Sequence, residues 1–587
     1  MPNRDSRTAT LKPVERIGGD GTNGKRLPDY DLIVIGGGIN GSGIARDAAE
    51  RGLTVLLLDK DDFGAGTSAY SSRLIHGGLR YLANFEFDLV RESLRERELL
   101  LKNAPHLVRP LPMAIPVYRY SKTPRWMIGL GMLLYDLFSR GKRMPGHRMY
   151  GRKAFMRHYP AVNRQRLSGG PVYYDAQVAL PERICVENAV AALETGHATV
   201  LNHARVTGFL RSDSELQGVA FTDRMTGEAY SAHGKIIINA SGPWVDELLG
   251  LSGQSGERLI GGTKGSHIIV NKFPEAPETA LYVEAQSDGR PFFIIPWRND
   301  YMLIGTTDIP FEGDLDSVSA ERDEVNYLLS ETSRVLPLAN LSLKDVLYSY
   351  AGVRPLPYTP DANDKKAGKI TRKHWIVDHA KQDPAVPGAQ PLRGLVSIIG
   401  GKLTTYRNLS EEAVDYAVKH YQLTLAGGRN VPSSNTRQRP LPGGVDINNL
   451  ALYKSHQLAE ASRYYGVPEA TCSHLIDLYG SRFSQVLKLT KENPAWKEPL
   501  SPYCKDIAAQ VIYAVRQELA CSVQDVLLRR VGCGLDGDVG LHSLNAVADW
   551  MAAELDWTPE RLEAEKEAYL HYVNERNLAF LGHPVKV

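Results

Sequence analysis

Gly36, Gly38 and Gly41 stand in the spacing GxGxxG, and Asp59 closes the next apolar run, in DLIVIGGGINGSGIARDAAERGLTVLLLDK. The first glycine permits a tight turn, the second lets backbone approach a pyrophosphate, and the third allows a helix to pack closely on a strand. The N-terminus of that helix offers unpaired N–H groups and a positive dipole to phosphates, and the acid accepts hydrogen bonds from an adenosine ribose. A glycine-rich turn alone explains the glycines but not the acid, so the unit reads as a dinucleotide site, with Asn40 inside its turn. Two later stretches repeat the theme. ASGPW, Ala240 to Trp244, opens a strand into Ser241 and Gly242, and GGKLTTYR, Gly400 to Arg407, places Gly401, Lys402, Leu403 and Thr404 before another helix. That third terminus suits a flavin pyrimidine oxygen or ribityl hydroxyls. A nicotinamide enzyme needs no such late return, so the pattern favours FAD over NAD.

The elements that position these turns follow from periodicity. Leu32 to Ile35 and Thr54 to Leu58 read as buried parallel strands around a helix whose apolar face is Ile44, Ala45, Ala48 and Ala49. DDFGAGTSAYSSRLIHGGLRYL, Asp61 to Leu82, is too rich in Gly, Ser and Thr for a core element. It reads as a loop along a ligand, with Ser68 and Ser72 placed to reach a pyrophosphate. Phe85 to Asn103 predicts a helix with Leu89, Val90, Leu94 and Leu101 inward, and Leu111 to Val117 a strand. Ala176 to Thr195 has helical periodicity. Thr199 to Phe209 reads as a strand of the nucleotide sheet that brings Val206 to the cofactor. Gln217 to Thr222 with Ala229 to Ser231 predicts a hairpin, before the apolar strand Lys235 to Asn239. From Ile260 to Ile309 the segments SHIIV, PFFIIPW and YMLIGTTD predict antiparallel strands, hence a second sheet and a cleft against the first. A helix near Arg322 to Leu336, a strand back at Leu395 and a helix from Leu409 to Tyr421 complete this part. The resulting division is a polar arm over 1–28, a nucleotide domain with an interleaved cap over 29–425 (cap roughly 85–180 and 255–350), a linker over 426–445 and a helix-rich region over 446–587, read as separate and without chemistry of its own.

Composition narrows the function. With 587 residues, 43% hydrophobic and 23% charged, the chain is an ordinary globular protein of two or more domains. A formal net charge of +2 marks no global field for nucleic acid. Cys185, Cys472, Cys504, Cys521 and Cys533 show no CxxC or metal-ligand spacing, which argues against a disulfide framework or structural zinc. The arm has no apolar h-region, and no apolar run is long enough to span a bilayer. Trp126 to Phe138, WMIGLGMLLYDLF, flanked by Arg125, Arg140, Lys142 and Arg143, reads either as a buried helix or as a monotopic patch on an anionic membrane surface.

Taken together in their order, DLIVIGGGINGSGIARDAAERGL, SSRLIHGGLRYL, APHLVRPLPM, INASGPWVDEL, KGSHIIV, IIPW, IGTTD, YAGVRPL and GGKLTTYR resemble the FAD-dependent, respiratory type of glycerol-3-phosphate dehydrogenase. The resemblance runs from about Asp31 into the helical tail; residues 1–28 are an extension the family does not need. It implies an α/β fold: a glutathione-reductase-like FAD-binding Rossmann domain, an antiparallel β-sheet substrate-binding cap and a C-terminal all-α domain. It also implies oxidation of sn-glycerol 3-phosphate to dihydroxyacetone phosphate, with electrons passed to a quinone. The implied location is cytoplasmic, peripheral to the inner face of the membrane, and a homodimer is compatible with it. Two other readings stay open: an oxidase that reduces O2, and a flavoprotein whose FAD is structural or serves RNA modification. No basic stripe or stacking-aromatic cluster supports nucleic acid.

Such an oxidation needs a base for the hydroxyl proton, a hydride path to the flavin and cations for a dianionic phosphate. Arg80 in HGGLRYL and Arg354 in AGVRPL carry guanidinium forks that match phosphate oxygens, with Tyr81 and Lys264 as secondary candidates. His267 in KGSHIIV is the candidate base, because partial desolvation at the start of an apolar strand favours neutral imidazole. His76, beside Gly77 and Gly78, is the alternative base or a support for the flavin ring. No metal is expected.

Overall fold

The computed structural model describes residues 25–79, 86–139, 144–213, 215–253, 258–298, 300–358, 373–381 and 391–583. Arg80, Tyr81, the cations at 140–143 and the arm up to residue 24 therefore lie outside the described residues.

Five strands form the parallel heart of the first sheet, in the spatial order Leu395–Ile399, Ala229–Asn239, Tyr30–Ile35, Val55–Leu58 and Ala198–Leu201. Their paired central segments are apolar and largely buried, in Ala229–Asn239 only from Ile236 on, as parallel strands covered on both faces must be. The helices Ile39–Glu50, Pro181–Glu194 and Tyr406–His420 cover one face, where Ile44, Ala45, Ala48 and Ala49 are buried as the periodicity predicts. The hairpin Ala204–Ser212 and Glu215–Asp223 covers the other. Two predicted boundaries move. The strand expected over Thr199 to Phe209 breaks at His203, whose φ is +53°, so its first half joins the parallel sheet and its second half the hairpin. The second arm of the predicted hairpin, Ala229 to Ser231, and the apolar strand after it are one continuous element, Ala229–Asn239.

Between Val55–Leu58 and Ala198–Leu201 the chain leaves to build part of a second sheet. This sheet is antiparallel except where Ala280–Glu284 runs parallel to Val108–Ala114. The Ala280–Glu284 strand was not visible in the sequence, being short with a polar end. The stretch read as helical from Ala176 begins as the end of the strand Leu167–Val178, and its helix starts only at Pro181. In the helix Phe87–Asn103, Leu89, Val90 and Leu94 face inward as expected, but Leu100 is the buried residue near the end and Leu101 is only partly buried.

The tail is helical, from Leu450–Tyr465 to Pro559–Tyr572, but it is not a detached unit. Its core is continuous with the second sheet: Trp297 and Tyr348 belong to the same buried cluster as Leu475 and Val511. Buried ion pairs fix the seam. Asp62 accepts from Arg530 Nη1 at 2.6 Å and Arg529 Nε at 2.5 Å, and Glu518 binds Arg183 through both oxygens. The predicted linker is likewise built in: Pro442, Gly443 and Gly444 are buried, and Gly443 N–H donates to Glu187.

Candidate active site

The first glycine turn has the geometry its residues demand. Gly36 has φ +104°, and a Cβ there would meet Ala240 O at 2.6 Å; a Cβ at Gly41 would stand 1.7 Å from Gly36 O. Gly38 caps the helix without a side chain, and Ser68 Oγ accepts the N–H of Ile39 at 2.9 Å. Asp59 accepts from Gly37 N at 2.5 Å and from Asp61 N at 2.8 Å. Its carboxyl is pushed up to about 6, by burial first and then by the charges of Asp61 and Asp62.

These residues open on a cavity of about 940 Å³. Gly36, Gly38, Asn40, Asp59 and Ser68 line one part of it, and Val206, Ser241 and Gly242 another, so the structure brings these candidates to one cavity. Gly41 lies beneath it, packed on Gly36. Residues of the helical tail close the far wall, including Tyr572, whose hydroxyl bonds that of Tyr70 at 3.0 Å. The tail, read from sequence as separate and without chemistry of its own, therefore borders this cavity.

A second cavity of about 980 Å³ adjoins the first. Thr67, Tyr70, Gly352, Gly401, Lys402 and Leu403 line both, so the third glycine turn stands at the junction. Gly401 has φ +96° and packs against Leu409 and Asn40, and Lys402 Nζ donates to Ser93 Oγ at 2.6 Å. The two cavities fit a long cofactor with a reactive end. The bare turn at Gly38 accepts a pyrophosphate, Asp59 a ribose, and the buried, unpartnered Oδ1 of Asn40 a hydroxyl on the chain between. FAD fits this donor set.

His267 lines the second cavity, yet it is only 1% exposed. Its ring stacks on Tyr350 at 4.8 Å, and a Cβ on Gly305 would come within 2.3 Å of it, so glycine at 305 makes its room. Nε2 lies 2.8 Å from Ser72 Oγ, and Nδ1 is buried with no hydrogen-bond partner. Burial, then the positive charges of Arg354 and Arg73, hold the imidazole well below its ordinary range, so it is neutral at pH 7. Ser72 thus serves the histidine and lines the second cavity; the pyrophosphate placement is corrected, because the loop turns away from the first cavity after Ser71.

Arg354 also lines the second cavity. Nη1 pairs with Asp308 at 3.1 Å and Nη2 donates to Thr306 Oγ1 at 2.9 Å, and a Cβ on Gly265 would fall 2.2 Å from Nη2. His76 lines the same cavity, its backbone N–H donating to Thr404 Oγ1 at 3.2 Å and its ring edge-on to Phe293. Lys264 is placed elsewhere: its ammonium is buried against Glu321 and Glu324, each at 2.8 Å, on the face of its strand opposite to His267. Strand alternation contains that correction, since residues 264 and 267 have opposite parity.

Three residues of this cavity were missed. Arg290 donates to Asp308 O at 2.6 Å, and Lys122 reaches in beside Gly289. Arg73, buried and bidentate to Glu182, sits over the Tyr350 ring. Arg73 lies in the quoted SSRLIHGG stretch and could have been weighed; Arg290 and Lys122 gave no signal beyond a DGR turn and a lone charge.

Comparison with known proteins agrees with this architecture. The family model described as FAD dependent oxidoreductase matches residues 31–406, and that described as the C-terminal domain of alpha-glycerophosphate oxidase matches 434–562. The glycerol-3-phosphate dehydrogenase of Synechocystis sp. is 44% identical over 93% of this chain and 96% of its own. The aerobic glycerol-3-phosphate dehydrogenase of Staphylococcus aureus is 31% identical over 94% and 95%. The crystal structure of the glycerol-3-phosphate dehydrogenase from Bacillus halodurans, complexed with FAD, superposes with a TM-score of 0.74 at 27% identity, covering 98% of each chain. With both glycine-lined cavities in the order that fold requires, this chain belongs to the FAD-dependent glycerol-3-phosphate dehydrogenases.

Proposed function

We propose that this chain oxidises sn-glycerol 3-phosphate to dihydroxyacetone phosphate and hands the electrons to a quinone at a membrane surface. The observation that carries the chemistry is the junction of the two cavities at Gly401 to Leu403, with a neutral histidine and a guanidinium on the second side. FAD, when bound, supplies the acceptor for the hydride from the secondary carbon. His267 takes the hydroxyl proton at Nε2 through Ser72 Oγ, 2.8 Å away, which accepts the substrate proton as it gives its own to the ring. Arg354 binds the phosphate, with Arg290 and Lys122 of the same cavity adding positive charge. The parts are coupled: Arg354 depresses His267, so a dianion seated on Arg354 offsets that charge and makes the imidazole a stronger base. Anaerobic addition of glycerol 3-phosphate to the yellow protein should bleach the flavin band, and unchanged absorbance would refute the reading.

The membrane part rests on the helix Arg125–Phe138. Only Met132 and Tyr135 are buried, whereas Trp126, Leu130 and Leu133 are 69%, 54% and 61% exposed. An exposed apolar face of this kind suits a bilayer interface. No described helix is long and apolar enough to cross a membrane. Tyr135 anchors the helix to the site, its hydroxyl accepting the N–H of Gly77, next to His76, at 3.1 Å. Leu130→Asp with Leu133→Asp should abolish co-flotation with anionic vesicles while leaving flavin bleaching intact. An oxidase is the second reading, favoured by the name of the family model over 434–562. Reoxidation of the bleached protein by a soluble quinone, against peroxide formed per turnover in air, separates the two.

A further inference from the structure

Far apart in sequence and without metal-ligand spacing, Cys504 and Cys533 are brought together by the fold, and Asp506 joins them. One ligand atom from each of the three lies within 4.8 Å of the others. The edge of a tetrahedron around Zn2+ with thiolate ligands is about 3.7 Å, so side-chain adjustments of an ångström or less would close the site. Both thiols are free; Cys533 and Asp506 are buried, and Cys504 is partly exposed, which leaves a path in from solvent.

The carboxylate is held as a metal-ligating carboxylate is held. Asp506 Oδ1 accepts from His474 Nε2 at 2.7 Å, Gln510 Nε2 at 2.8 Å and Gly532 N at 3.1 Å. Hydrogen bonds of this kind orient a ligand and fix its charge before any ion arrives. Two thiolates and one carboxylate are a soft set that selects Zn2+ over Mg2+ or Ca2+.

We propose that Cys504, Cys533 and Asp506 form a binding site for a single Zn2+ ion, with a water as fourth ligand. Binding releases the two thiol protons to solvent and forms two Zn–S bonds and one Zn–O bond, with no change of oxidation state. The site fastens the loop around Cys533 to the loop around Cys504 where the helical tail meets the second sheet. There Tyr301 OH accepts Gly537 N–H at 2.9 Å, Tyr348 OH donates to Leu535 O at 3.0 Å, and Arg298 Nη1 donates to Gly532 O. The ion is therefore structural, its three ligands lining neither of the two cavities.

The test uses FAD-loaded protein stripped with a chelator and then given Zn2+ or Co2+ alone. The expected result is about one metal per chain, a Tm raised by Zn2+, and, with Co2+, tetrahedral d–d bands to the red of the flavin absorption. Cys533→Ser should lose all three. Should that variant fail to retain FAD, Cys504→Ser and protection of Cys504 from alkylation by Zn2+ in the parent protein give the same reading. Equal Zn2+ uptake by the parent and both variants, or no uptake above chelator background, overturns the proposal. An intact mass lighter by two hydrogens, with Cys504 and Cys533 both resistant to alkylation, overturns it too, since the pair is then a disulfide.

Discussion

The two cavities are made of different material. The first is walled by backbone at its working points: positive φ at Gly36 and Gly242, a bare helix N-terminus at Gly38, and N–H groups aimed at Asp59. The second is walled by side chains, with His267, Arg354, Arg290 and His76 brought from four separate segments. A backbone-made site tolerates almost no change in local sequence, because the residue type is set by sterics. A side-chain-made site is set by three-dimensional packing. Damage should therefore differ in kind, all-or-none in the first cavity and graded in the second.

The largest effect is expected where backbone meets backbone. Gly41→Ala places a methyl 1.7 Å from Gly36 O, which no rotamer can relieve. The purified variant should be colourless, and a normal ratio of flavin to protein absorbance would erase the distinction between the cavities. In the second cavity, His267→Asn should keep the flavin yet slow its anaerobic reduction by about 100-fold or more. Reduction at the parent rate would move the base to His76. Arg354→Met comes next, since it removes charge-assisted hydrogen bonds to phosphate worth about 1.5–3 kcal/mol. KM for glycerol 3-phosphate should rise by about 10- to 100-fold. Because Arg354 also depresses His267, the variant's acid limb should shift upward, against the depressed limb of the free parent enzyme.

That difference in material also explains what the residues disclosed before folding. The glycine turns, Asp59 and the buried strands were legible because each is a local necessity. Gly36 must have positive φ, and Val55–Leu58 must be apolar to lie between helices on one face of its sheet and a hairpin on the other. Arg354 and His267 were legible mainly through motif resemblance. Ser72 was misplaced because its partner, His267, is far along the chain, and nothing local marks a serine that serves a histidine. Lys264 was misread although parity on its strand already turned it toward Glu324. Arg290 and Lys122 were invisible because each depends on loops of the second sheet meeting at the cavity, and the pairing of Cys504 with Cys533 because two loops of the tail meet. The linker showed Pro and Gly composition typical of a flexible stretch, but Gly443 and Gly444 are glycines because backbone from 103 and 479 presses against them.

The smallest effect tests the first cavity by pH. Asp59 has its carboxyl raised to about 6 by burial and by Asp61 and Asp62. Its raised value means the ionised form is the costly one in the folded protein, so stability from this group alone is greatest below the unfolded value and is lost as pH rises through 6. FAD acts oppositely. A ribose hydroxyl donating to the carboxylate, as proposed for Asp59, would favour ionisation, so binding would expel a proton once pH falls below 6. Affinity of the FAD-free protein for FAD should then be flat above pH 7 and weaken toward pH 5 by less than about tenfold per unit. Asp59→Asn should bind more weakly throughout and lose the slope. A slope retained in that variant would place the titrating group elsewhere in the turn, and the ribose contact would no longer be the acid's task.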